Sequence, residues 1–260
     1  MIRKRLKMLA AKIFKTKTVH YSGLVFEGAF EDFGFLQALH AGGREPYTVE
    51  LFLGVLQPGM TVVDIGAHLG QFTLLAARRI GPSGRVWAFE PHPRTYSYLK
   101  RNIDRNALTD RITAFDQAVS DRSASAILQA DLLQSDFTSL VHVRDASEAE
   151  AVMVITTSLD DIQPPIYPDV LKIDVEGAEL RVLAGLRKTL ERSRAAGKSP
   201  ILFIESNADA LRRAHAGAQQ LRAALQDCGF VSIQAIFEAK KTLDAFEGRA
   251  LEGCVNLICR

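Results

Sequence analysis

From Gly59 onward, short apolar runs alternate with stretches in which apolar residues recur every three or four positions. The short runs predict strands over 61–65, 85–89, 111–115, 170–173, 201–205, 230–236 and 254–258. Between them, Tyr96, Leu99 and Ile103 share one helical face behind Pro93, which suits a first helical turn because an N–H there would have no partner. Leu183, Leu186 and Leu190 repeat at three and four, and Leu211, Ala214, Ala218, Leu221 and Leu225 repeat the same way. Strands alternating with helices predict an α/β fold built on a seven-stranded, mostly parallel sheet with helices on both faces. The stripes themselves are core and carry no chemistry.

Two regions depart from this rhythm. Between Ser120 and Asp160, short β-prone pieces at 126–128 and 152–157 flank a polar segment rich in Asp, Ser and Glu. That pattern predicts a small strand pair with a mobile tip, of the kind that serves as a lid or binding insertion. Residues 1–58 read as a basic N-terminal helix and a helical and loop cap over the open end of the sheet, leaving 59–260 as the main domain. Seven basic residues and no acids fall within 1–18, where Ile2, Leu6, Leu9 and Ile13 are spaced by four, three and four. Such a run can lie as an amphipathic helix on an anionic membrane or on a partner, or pack as an ordinary terminal helix.

Composition narrows the class. Hydrophobic content of 47% and charged content of 24% are those of a globular protein. The formal net charge is +2, but removing the N-terminal run leaves 25 basic against 30 acidic residues, so no broad nucleic-acid surface is implied. Cys228, Cys254 and Cys259 have no C-x-x-C spacing, which suits thiols in a reducing compartment. The start is too charged for a signal peptide and no later stretch is long enough to span a bilayer, so a cytoplasmic location is expected, with membrane association through 1–18 left open.

The candidate chemistry sits at strand ends. The stretch TVVDIGAHLGQF, residues 61–72, runs from a strand into Asp64, Gly66 and Gly70 and then into a helix. Glycines there let the backbone turn closely around a nucleotide-like ligand, and Glu90, closing RVWAFEP, can accept both hydroxyls of a ribose. A dinucleotide site wants G-x-G-x-x-G open to a pyrophosphate. An acid two residues before the first glycine would repel that group, whereas S-adenosylmethionine brings an ammonium and a sulfonium. The acid favours the cationic cofactor. Further on, DVLKIDVEGAELR puts Lys172 and Asp174 on one side of a strand that ends at the turn carrying Glu176, and Glu205 ends the next strand. These acids can meet near a reacting centre.

Taken together and in this order, VVDIGAHLGQFTLLAA, GPSGRVWAFEPHP, SLDD at 158–161 and LKIDVEGAELRVLAG resemble the FkbM family of S-adenosylmethionine-dependent methyltransferases, over roughly Arg44 to Glu205. REP at 44–46 is similar to the family's entry segment. The resemblance implies a class I methyltransferase (Rossmann-like) sheet with its last strand antiparallel, and methyl transfer to hydroxyl oxygens of polyketides, sugars or glycans. It implies that Gly66 and Gly70 shape the cofactor turn, that Asp64 holds the methionine end and that Glu90 binds the ribose. Asp116 and Gln117 would lie beside the adenine, with Ala118 supplying backbone, and Asp174 near the methyl. Glu45, Ala67, His68, Phe72 and Pro91 complete the implied cofactor set.

For catalysis, Asp174 is the expected base, with Glu176 or Glu205 as second choice and Lys172 tuning the local field. Several acidic oxygens could hold Mg²⁺, but they are spread over separate strands without a recognisable ligand set, so no metal is expected. His68 and His92 read as neighbours of the cofactor and Trp87 as core. Three other readings remain: a dinucleotide oxidoreductase, against which stands the missing third glycine; a non-catalytic cofactor-binding module tethered by its basic start; and an RNA methyltransferase, against which stands the acidic body.

Overall fold

The structure is a computed structural model that describes residues 17–131, 138–139, 149–249 and 253–260. The predicted basic helix over 1–18 therefore lies almost wholly outside the described residues, as does the tip of the insertion. Lys17 and Thr18 already belong to a strand.

A β-hairpin opens the described chain, β1 (Lys17–Tyr21) against β2 (Leu24–Gly28), where a helical and loop cap was expected. Its two-residue turn is Ser22–Gly23, both at positive φ, the turn geometry that matches strand twist in tight hairpins. Val19 and Phe26 pair across it and are buried; the rest of β1 is exposed or half-buried, while β2 is buried at every position but Val25. Five residues a strand give only a short signal. A 3₁₀ turn then leads to helices α1 (Phe33–His40) and α2 (Pro46–Val55).

The central sheet is formed by β3 (Thr61–Ile65), β4 (Arg85–Phe89), β5 (Ile112–Phe115), β10 (Val170–Ile173), β11 (Ile201–Asn207), β12 (Ile233–Phe237), β13 (Thr242–Ala245) and β14 (Cys254–Cys259). Their order is β13-β12-β14-β11-β10-β3-β4-β5. Pairings from β5 through β4, β3 and β10 to β11 are parallel, and β14 runs antiparallel to both β11 and β12. All seven predicted strands are in this sheet. The eighth, β13, is an edge strand whose residues are mostly exposed, so its sequence carries little apolar signal.

Alternation along each strand feeds two cores. Val62, Val86, Val170 and Phe203 pack with α1, α2, α3 (Gln71–Ile80) and α4 (Pro93–Arg105). Val63, Leu171, Ile173, Leu202 and Ile204 pack with α5 (Glu179–Ala184), α6 (Arg187–Ala195) and α8 (Ala218–Asp227). Strands buried on both faces give the continuous apolar runs seen in the sequence. The stripe from Leu211 to Leu225 is broken into α7 (Ala208–Arg213) and α8, because His215 takes a left-handed conformation and Gly217 caps the second helix.

The insertion folds as β6 (Gln117–Val119), β7 (Ala124–Asp131), β8 (Thr138–Ser139) and β9 (Ala149–Thr157), in the order β6-β9-β7-β8. The predicted strand pair is the antiparallel β7–β9 ladder. Ala118, Leu128 and Val154 form its small core.

Candidate functional site

The carboxyl ends of β3, β4 and β10 open into a cleft that faces solvent on one side. Helix entry shapes its floor. Gly66 has φ 84°, and a Cβ on it would lie 1.9 Å from the carbonyl oxygen of Asp174, so only glycine lets the β3 turn pass the end of β10. Gly70, also left-handed, caps α3 behind this turn and does not line the cleft. Around the cleft, Glu45, His68 and Glu176 hold left-handed backbone without being glycine. Such conformations persist where surrounding contacts fix them, and they cluster at binding sites.

Two buried acids face this floor. Asp64 accepts a hydrogen bond from the Thr73 hydroxyl on α3. Burial pushes its carboxyl up to about 6, against the opposing pull of Thr73 and Lys172. Glu90 accepts from the backbone N–H of His68 at 2.9 Å and from that of His92 at 2.9 Å, so both of its oxygens are positioned by main chain. Burial still wins and raises it to about 7, helped by Asp32 and Asp64.

Of the predicted cofactor residues, Glu45, Asp64, Gly66, Ala67, His68, Phe72, Glu90, Pro91, Gln117, Ala118 and Asp174 line the cleft. Asp116 is exposed and is not among the lining residues, because it lies at the β5–β6 junction while the following Gln117 and Ala118 face inward. Above them, Trp87, Phe115 and Phe89 stack in a ladder with centroids 5.4 and 4.7 Å apart, consistent with Trp87 as a packing residue.

The second group of acids gathers around Lys172. This ammonium is buried, 3.2 Å from Asp174 Oδ2 and 5.1 Å from the centre of the Phe72 ring. Burial works against its charge, yet Asp174, Glu45, Glu205 and Asp64 together outweigh burial and raise its pKa. Glu176 accepts from the Asn207 amide at 3.1 Å, and burial with Asp174 and Glu179 nearby pushes it up to about 8. Glu205 does not line the cofactor cleft. Buried behind it, Glu205 accepts from the Cys254 thiol at 2.6 Å, and burial with Asp174 and Glu176 drives it well above the usual carboxylate range.

Sequence reasoning passed over Arg44, Gln71 and Asn256. Gln71 donates to the Arg44 carbonyl at 2.7 Å and accepts its N–H at 3.3 Å, which ties the segment before α2 to the start of α3 and sets Glu45 in place. Both residues were within quoted motifs, REP and GQF, yet nothing local joins them. Leu128, from the insertion, also reaches the cleft.

A sheet of this strand order, with its antiparallel β14, a glycine turn after β3 and acids ending β3 and β4, is that of a class I methyltransferase. The chain belongs to the FkbM methyltransferase family: residues 64–232 match its domain. S-adenosylmethionine is accordingly its cofactor. The residues fit it, since the cleft offers desolvated carboxylates to a cation and a ribose.

Among similar proteins are 31-O-demethyl-FK506 methyltransferase FkbM of Streptomyces tacrolimicus, 32% identical over 55% of this chain and 66% of its own length, and hexuronic acid methyltransferase AglP of Haloferax volcanii, 26% identical over 56% and 58%. Ribosomal RNA large subunit methyltransferase E of Oleidesulfovibrio alaskensis is 35% identical over 30% of this chain and 39% of its own length. The chain spans less than two thirds of the length of the curated relatives it matches.

Proposed function

We propose that this protein transfers a methyl group from S-adenosylmethionine to a hydroxyl oxygen of a sugar, glycan or polyketide-type acceptor, with 59–260 as the catalytic unit and 1–58 completing the cleft through Glu45. The bound cofactor supplies an electrophilic methyl on a sulfonium. The protein's part is to hold the two reactants in line and to take the proton that the hydroxyl loses. Asp64 and Glu90 hold the cofactor's cationic and ribose ends.

One observation carries the choice of base. Asp174 is paired with Lys172 and its side chain is a third exposed, while Glu176, pushed up to about 8, and Glu205, raised well above the usual carboxylate range, are buried. Asp174 is the acid beside Lys172 that both lines the cleft and stays open to an incoming hydroxyl. Two relatives whose names specify 31-O-demethyl-FK506 and hexuronic acid as what is methylated support the acceptor class.

Asp174→Asn should keep cofactor affinity in calorimetry while turnover falls by on the order of 10²-fold. Wild-type rates in that variant would remove Asp174 from the role. The acceptor class is read by mass spectrometry of cell extracts incubated with cofactor, where a hydroxyl compound should gain one methylene's mass. A methylated RNA as the sole product would replace the hydroxyl reading, and tight dinucleotide binding with none of S-adenosylmethionine would replace the methyltransferase.

Described residues include no helix long and apolar enough to cross a membrane. Contact of the basic run 1–18 with an anionic membrane is the proposed route to a membrane-proximal acceptor.

A further inference from the structure

Beside the cofactor cleft, acids that are far apart in sequence converge. One carboxylate oxygen each from Glu45, Asp174 and Glu205 lies within 4.8 Å of the other two. An acidic cluster alone explains nothing, but two further features mark this one. Asn256, on β14 directly across from Glu205 in the β11–β14 register, hydrogen-bonds Glu45 through its side chain. Its Oδ1 and the Oε2 of Glu205 are both buried, on residues only 4% and 2% exposed, and among the described residues nothing donates to either. Two buried acceptors on residues of this cluster thus lack the partner that buried oxygens in proteins almost always have.

Lys172 is the cation buried among these acids, and it is already paired with Asp174 Oδ2. The donors are carboxylates and an amide carbonyl, hard oxygen ligands that select Mg²⁺ or Mn²⁺ over thiophilic metals.

We propose that Glu45, Asp174 and Glu205, with the Asn256 carbonyl, form a binding site for a hard divalent cation such as Mg²⁺ or Mn²⁺. Position suggests its use. Glu45 and Asn256 also line a second recess, with Phe237, Cys254 and Val255, on the far side of Glu45 from the cofactor. An ion at the junction of the two cavities would hold the acceptor's oxygen where the cofactor's methyl can reach it. That use rests on the methyl-transfer reading. Binding of the ion does not.

The chain is equipped for rigidity here. Glu45 sits in a left-handed conformation between the Gln71–Arg44 clamp and the first turn of α2, whose Tyr47 and Thr48 N–H groups donate to Glu238 at 2.9 and 2.7 Å. Glu205 and Asn256 are fixed by the β11–β14 ladder. A hard-cation site needs ligands held in this way from several elements.

The test is Mn²⁺ binding to the full chain, read by loss of the free-ion electron paramagnetic resonance signal, without cofactor. One Mn²⁺ per chain is expected, displaced by excess Mg²⁺. Glu205→Gln and Glu45→Gln should each weaken it by about tenfold or more. Glu45 is partly exposed, so its amide variant keeps the test valid if the buried Glu205 variant melts early. No signal loss at millimolar Mn²⁺, or equal binding in the wild type and in a folded Glu45→Gln variant, overturns the proposal. Calorimetry with S-adenosylmethionine is run beside it: cofactor binding without Mn²⁺ binding sinks the ion site and leaves the methyltransferase standing. Mn²⁺ binding without cofactor binding does the reverse.

Discussion

The cofactor side and the acid cluster beside it are built in opposite ways. On the cofactor side, Asp64 and Glu90 end adjacent strands, 26 residues apart by number, and each is positioned from the turns and helix that follow these two strands: Thr73 for Asp64, and the His68 and His92 amides for Glu90. Around Lys172, Glu45 comes from the cap, Asp174 from β10, Glu205 from β11 and Asn256 from β14. Local construction makes the first half of the site robust and readable. Long-range construction makes the second depend on the cap being docked. The difference predicts that damage to the first half weakens or abolishes cofactor binding, whereas damage to the second leaves the cofactor bound.

Gly66→Ala should show the largest effect. The new methyl would meet the Asp174 carbonyl at 1.9 Å in a conformation that alanine avoids, so either β3 or β10 must move. A cost of about 3 kcal/mol or more in unfolding free energy is expected, together with loss of cofactor binding in calorimetry. Because Gly66 touches the main chain of Asp174, this variant breaks both halves at once. A Gly66→Ala protein with normal melting and normal affinity would show that the two halves are less tightly joined than the coordinates indicate.

A more selective break uses Glu90. Its carboxyl is raised to about 7 because burial penalises the anion. In the unfolded chain it titrates at the ordinary 4.5. The folded state thus prefers the neutral form, and the stability Glu90 contributes is full below 4.5 and is lost as pH rises through 7. Binding has the opposite sign, since the ribose hydroxyls donate to the carboxylate and so favour the anion. Cofactor affinity should rise between about pH 6 and pH 8, with proton release visible as a dependence of calorimetric heat on buffer. Asp32, Asp64, His68 and His92 surround this group and Asp64 titrates nearby, at about 6. Glu90→Gln is therefore the control: it should flatten the upper part of the profile and weaken binding by about tenfold, the worth of a hydrogen bond to a charged group.

The same contrast decides what can be read from the sequence alone. Strands ending at Ile65, Phe89 and Ile173 were legible because burial on both faces leaves uninterrupted apolar runs. Asp64, Gly66 and Glu90 were legible because their spacing along the chain is itself the chemistry. The hairpin at Lys17–Gly28 was not, since β1 buries only Val19 and β2 carries Glu27 among its buried positions, so neither five-residue stretch shows a clear period. Its edge is satisfied far away, by the Asn102 and Asn106 side chains at the end of α4 accepting the N–H groups of Glu27 and Val25 at 2.7 and 2.9 Å. Asp116 and Gln117 both follow β5 and both are expected beside the adenine, but the chain turns there, so that Gln117 lines the cleft and Asp116 does not. The joining of Glu45 to Asp174 and Glu205 had no signal in the sequence, because partners from four elements share no spacing.

Gln71→Ala should have the smallest effect and sharpens the comparison most. Gln71 stands at the start of α3, within the cofactor motif, yet its amide is spent on both backbone groups of Arg44. Removing two partly buried hydrogen bonds costs about 1–2 kcal/mol of stability, a modest fall in melting temperature. The cofactor's acids are untouched, so S-adenosylmethionine affinity should stay within about twofold of the wild type, since surroundings unchanged in charge and shape move affinity little. Glu45, however, loses the clamp that holds it at the mouth of α2. Its oxygen drifts from Asp174 and Glu205, and turnover should fall several-fold more than cofactor affinity does. Equal losses in both would mean that the segment before α2 serves the cofactor, and that Glu45 belongs with Asp64 and Glu90 and not with the acids around Lys172.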